Sequence, residues 1–96
     1  MTIIFAPRAL LDLIGIENYL MPRSPGGSRK VLAAIKVAIE DLRGFPKIGI
    51  PIDAEGRYRL PLGKYPYVVF YRIDGADVFI LHIRHTARRP VKVKEL

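Results

Sequence analysis

Cysteine is absent from this chain, which excludes disulfides, thiolate nucleophiles, iron–sulfur clusters and cysteine-based zinc sites. Histidine is scarce: His82 and His85 are the only two, too few for a His-rich metal centre without carboxylates from elsewhere. No long apolar run occurs. Residues 2–6 meet Pro7 and Arg8 at once, far short of the ~7–15 residues of a signal-peptide core or the ~20 of a membrane span. A cytoplasmic protein with no membrane contact is therefore expected. Acidic residues are few, nine Asp and Glu against 16 Lys and Arg, and the net charge of +7 favours anionic partners. Also missing are a phosphate-cradling glycine loop, a Ser-His-Asp arrangement and paired-carboxylate spacing, so no cofactor and no metal are expected.

What is present suits one small domain spanning residues 1–96, with a basic tail over about 86–96. Half of the residues are hydrophobic, enough for a core, though at this size the core alone stabilises only marginally and a binding partner is expected. Residues 2–6 read as a strand, and Pro7 suits the first position of a helix because its missing N–H would be unused there. From 8 to 21 the period is helical: Ala9, Leu13, Ile16 and Leu20 form one stripe, widened by Leu10, Ile14 and Met21. That arc is broader than one buried face needs and predicts a second contact surface. Residues 22–27 are turn chemistry, and Ser28 is the expected N-cap of a second helix to Arg43, stopped by Gly44 and Pro46. The two helices form a hairpin.

Beyond a connecting segment at 47–56 the period changes to two. Strands are expected over 57–62, 67–73 and 78–85, the last two joined through Asp74-Gly75. Val68, Phe70, Phe79, Leu81 and Ile83 would share the face packed on the helices. Tyr67, Val69, Tyr71, Ile80, His82 and Arg84 would share the other, leaving the tyrosines exposed. The expected fold is α+β, with order β-α-α-β-β-β and a helix hairpin on one face of a small, mainly antiparallel sheet. Cations crowd its end: Arg57, Arg59 and Lys64 on or beside one strand, Arg84, Arg88, Arg89, Lys92 and Lys94 at the last. Arginine forks suit phosphate or carboxylate. His85 is the acid/base candidate at the rim, whereas His82 reads as structural.

Several strings in this order are specific. Residues 9–13 with Tyr19-Leu20, then Phe45-Pro46-Lys47-Ile48-Gly49, then 65–73 (YPYVVFYRI) followed by 78–88 (VFILHIRHTAR), resemble the RelE/ParE toxin superfamily of bacterial toxin–antitoxin modules over roughly residues 2–90. The resemblance implies a type II toxin of the plasmid-stabilisation kind, neutralised by a cognate, ParD-like or other small antitoxin. Arg59 matches the basic residue of the family's second strand, Arg88 the arginine past the last strand, and His85 the terminal histidine. Ribonuclease members carry a basic residue where Val68 stands here and a tyrosine in the tail, and no tyrosine follows Tyr71. Those departures favour the ParE-like branch, which poisons DNA gyrase by binding. The alternative is a ribosome-dependent mRNA interferase using Arg59, His85 and Arg88. A third reading is a non-toxic, basic nucleic-acid-binding module. Arg57, Arg59, Tyr67, Tyr71, Arg84 and Arg88 are the expected target or partner contacts, with base stacking on the two tyrosines. Leu10, Ile14 and Met21 are the expected antitoxin contacts.

Overall fold

The computed structural model describes residues 1–87. β1 (Thr2–Phe5) ends where Pro7 begins α1 (Pro7–Leu20). Having no N–H, Pro7 suits the first helical position and cannot extend the strand's ladder. α2 (Pro25–Asp41) starts earlier than Ser28: Ser24 is its N-cap and accepts from the Gly27 N–H at 3.1 Å. Pro25, Gly26 and Gly27, expected as turn, are the first helical turn. A Cβ on Gly27 would sit 2.8 Å from the Ser24 hydroxyl oxygen, so glycine lets the cap close. Ser24→Ala is expected to lower unfolding stability by about 1 kcal/mol, read by thermal denaturation. Ser28 itself is buried.

Then follow β2 (Ile50–Pro51), β3 (Arg57–Pro61), β4 (Tyr67–Asp74) and β5 (Asp77–His85) in a sheet ordered β1-β5-β4-β3-β2. β1 runs parallel to β5, and every other pairing is antiparallel. The architecture is α+β, two helices on a mixed five-stranded sheet. The expected four strands gain a fifth, because Ile50 and Pro51 pair with Arg59 and Tyr58 inside the segment expected to be mere connection. The β4–β5 hairpin closes through Gly75-Ala76, with Asp74 opposite Asp77 and Gly75 at φ +59°. A positive φ at the first loop position only is the type II′ arrangement, and it favours glycine. No helix among the described residues is long and apolar enough to cross a membrane.

The face assignment is reversed. The core joins Ala9, Val31, Ile35, Ile39 and Leu42 to Tyr67, Val69, Tyr71, Val78, Ile80 and Ile83. The helices therefore cover the Tyr67–Val69–Tyr71 side of β4, while Val68, Phe70 and Phe79 face away. A β-bulge explains the mixture on β5. Between Phe70/Tyr71 the register slips, Phe70 pairing with His82 and Tyr71 with Ile80, so Leu81 is an extra residue. One extra residue inverts the alternation. Ile80 and Ile83 both point inward as a result.

Candidate functional site

The uncovered face can be built row by row from the register. Arg57, Arg72, Phe79 and Ile4 lie side by side across β3, β4, β5 and β1. The next row is Arg59, Phe70 and His82, and the next Pro61, Val68 and Arg84. Arginines from three strands thus share one surface with Phe70, Phe79 and Val68. The bulge at Leu81 puts Arg84 there, since without it the strand's parity would turn residue 84 to the helices.

These arginines are not equivalent. Arg57 is held by Glu55 at 2.7 Å and Asp53 at 3.4 Å. Arg72 pairs with Asp74 at 3.2 Å and lies over the Phe79 ring at 4.8 Å. Arg59 and Arg84 have no carboxylate partner among the described residues, and Arg59 is exposed. The positive potential of the face is therefore concentrated on that pair. Arg59 sits opposite Phe70 and Arg84 opposite Val68, which with two inter-strand spacings sets their Cα atoms about 12 Å apart. Two forks at that spacing suit two neighbouring anionic groups on one macromolecule.

His85 does not join them. It pairs with Tyr67, which is on the helix side, and the two rings meet edge to face at 5.1 Å. Its Nδ1 accepts the Ala87 N–H at 3.0 Å. Arg59 and His85 thus occupy opposite faces of the sheet, and Arg88 lies outside the described residues. The imidazole on the cationic face is His82, read from sequence as structural, and its Nδ1 lies 3.6 Å from Asp12 Oδ2. Asp12 also accepts the Ile83 N–H at 3.0 Å and pairs with Arg8 at 3.1 Å. Tyr67 and Tyr71 are buried rather than exposed, so neither offers a ring for stacking. Tyr71 is a structural post: its hydroxyl donates to the Pro46 carbonyl at 2.7 Å and accepts from the Gly49 N–H at 3.0 Å. Burial pushes its pKa above the ordinary phenol value.

On the other side of the molecule α1 keeps the apolar surplus read from its sequence. Leu10, Ile14 and Met21 are exposed. Ile14 lines a groove of about 400 Å³ between the helices, with Phe5, Leu13, Leu32, Ile35 and Ile39. Glu17, Lys36 and Glu40 stand at its mouth. Such a groove admits an amphipathic segment, with apolar side chains inside and polar ones at the rim.

Comparison with known proteins agrees with this architecture. Residues 3–90 match the profile of the ParE toxin of the type II toxin–antitoxin system parDE. The Toxin RelE2 of Caulobacter vibrioides is 31% identical over 86 residues, spanning 90% of this chain and 96% of that protein. Among solved structures, the chromosomal ParDE system of P. aeruginosa superposes with a TM-score of 0.65 at 23% identity, covering 88% of this chain and 95% of that one. The toxin–antitoxin complex RelBE2 of Mycobacterium tuberculosis gives 0.60 at 29% identity over 91% and 92%.

Proposed function

The chain belongs to the ParE toxin family of type II toxin–antitoxin systems, and from that premise we propose that it poisons DNA gyrase by binding, through the sheet face that carries Arg59 and Arg84. A cognate antitoxin neutralises it, docking on Leu10, Ile14 and Met21 and the inter-helix groove. The observation that supports a binding poison is the composition of the face. Its two uncompensated cations can grip an anionic surface, whereas cleavage of RNA also needs a proton acceptor and donor flanking the phosphate. His85 is turned to the opposite face, both nearby tyrosines are buried, and residues 88–96 contain no histidine or tyrosine.

Purified gyrase titrated with the chain in a supercoiling assay, beside a translation reaction read by primer extension, tests this. Supercoiling is expected to fail while the message stays intact. Site-specific cuts in translated message with normal supercoiling would overturn the gyrase reading. They would point to an interferase in which His82, in the same row as Arg59, is the imidazole to replace first.

A further inference from the structure

The turn that Tyr71 holds carries an exposed apolar cluster. Phe45 is 69%, Ile48 56% and Ile50 44% exposed. Single exposed apolar residues are ordinary, but three within residues 45–50 make a patch of the kind that marks an interaction site. The patch is rigid. The Phe45 N–H donates to the Asp41 carbonyl at 3.0 Å, and the Phe45 carbonyl accepts the Ile48 N–H at 3.1 Å, closing a turn with proline at its second position. The Pro46 carbonyl and the Gly49 N–H are both tied to the Tyr71 hydroxyl. Displaying these side chains to a partner therefore costs little further ordering.

The cluster is continuous with the cationic face. Ile50 pairs with Arg59, and residues directly opposite one another put their side chains on the same side of a sheet. Ile50 thus extends the row of Arg59, Phe70 and His82 to β2, at the edge of the sheet. Gly49 lies so close to β3 that a Cβ on it would fall 2.9 Å from the Arg59 carbonyl, which fixes the turn beside the arginine. Lys47, exposed between Phe45 and Ile48, adds a second cation with no carboxylate partner among the described residues. An uncompensated arginine beside rigid apolar side chains is the composition of a protein-binding hot spot.

A nucleic acid fits this surface poorly. Phosphate grip draws on several cations at once, yet Arg57 and Arg72 are already neutralised. The Glu55 and Asp74 side chains that hold them are 70% and 66% exposed, so a phosphate backbone laid on the face would meet like charge. A protein partner, whose own rim mixes acids and bases, tolerates those carboxylates. We infer that the target is gripped as a protein: Phe45, Ile48 and Ile50 seat in an apolar pocket whose rim carboxylates pair with Arg59 and Lys47. The inference rests on the gyrase reading and narrows it, making the enzyme's polypeptide rather than its DNA the surface that the chain holds.

Two measurements test the inference: the concentration of Phe45→Ser, Ile48→Ser and Phe45→Leu that halves gyrase supercoiling, and fluorescence anisotropy of the labelled parent titrated with gyrase or with a linear DNA duplex at about 150 mM salt. Each serine is expected to raise the half-inhibitory concentration at least about tenfold, and Phe45→Leu to leave it within about threefold. Both side chains are exposed, so thermal midpoints should match the parent's, and if one serine variant does not fold the other decides. The parent is expected to bind gyrase at least about tenfold more tightly than the duplex. Serine variants that inhibit as the parent does overturn the inference and leave the gyrase reading standing. So does a parent that binds the duplex as tightly as gyrase, which makes nucleic acid the occupant. A parent that leaves supercoiling untouched overturns both.

Discussion

Replacing Arg59 and Arg84 together by alanine is expected to abolish growth inhibition and to weaken target binding on the order of 10²–10⁴-fold, at about 1.5–3 kcal/mol for each lost charged contact. The fold should hardly notice. Neither guanidinium makes an ion pair among the described residues, and surface substitutions of that kind usually stay within about 0.5 kcal/mol in stability. Arg57 and Arg72 are the controls. They share the same face, but Glu55, Asp53 and Asp74 already neutralise them, so a target anion would have to displace a carboxylate before gaining anything. Alanine at either should cost less than at Arg59 or Arg84. Growth after induction and the concentration that halves supercoiling, measured on the same variants, read the effect. A double variant as toxic as the parent would remove this face from the mechanism.

The same rows show where sequence reading succeeds and where it stops. The helix hairpin is legible because the Ala9–Leu13–Ile16–Leu20 period is unambiguous and Gly44 and Pro46 mark where the second helix stops, and the β4–β5 hairpin because glycine sits where a positive φ is needed. The side of the sheet that is buried was not legible. β4 reads Tyr-Val-Val-Phe-Tyr, apolar on both faces, so alternation carries no sign. The bulge at Leu81 then breaks the parity of β5, and no local residue preference announces it. Ile83 is expected on the helix-packed face and lies there, but beside Tyr67, Val69 and Tyr71 rather than Val68 and Phe70. The α2 start was misjudged although Ser24-Pro25 is itself a capping signal, because Gly26-Gly27 reads as a turn.

For the site, Arg59 was singled out from the sequence, and the structure gives it Arg84 and His82 as neighbours in place of His85. Strand parity decides that grouping, and it hinges on one inserted residue. The cleft between α1 and residues 83–85 of β5 left almost no sequence trace. Gly15 carries no side chain to signal it, and only the end of β1 at Pro7 leaves that stretch of β5 without a neighbouring strand. The wide apolar arc of α1 was legible as a surplus, whereas its division into two exposed rows, Leu10–Ile14–Met21 and Leu11–Tyr19, on opposite flanks follows from where α2 and β5 sit.

The cationic face also depends on a buried post beneath it. Tyr71, fully buried and stacked on Tyr58 at 5.3 Å, ties the Pro46–Gly49 turn to the sheet through its hydroxyl. Tyr71→Phe leaves the Pro46 carbonyl and Gly49 N–H without that partner, and is expected to lower stability by about 1–3 kcal/mol. Gly49→Ala should cost at least as much. Its Cβ would fall 2.6 Å from the Tyr71 hydroxyl and 2.9 Å from the Arg59 carbonyl, one a buried ring and the other backbone. Overpacking of that kind costs about 1–3 kcal/mol, and a displaced ring loses both bonds besides. Because Ile50 is paired with Arg59, the strain falls on the strand that presents the arginine, so Gly49→Ala should reduce toxicity as well as stability. In the Tyr71→Phe background the hydroxyl clash is gone, and the alanine is expected to cost less, a non-additivity that a double-mutant cycle reads directly. The pH dependence carries a sign. Burial raises the Tyr71 pKa, so the stability its neutral form supplies is complete below about pH 10, the unfolded value, and is lost as pH rises beyond it toward the folded pKa. Urea denaturation of the parent and Tyr71→Phe from pH 7 to 11 should therefore show a gap that narrows at the alkaline end. Curves that stay parallel throughout would mean the hydroxyl is not the buried, neutral donor that the turn requires.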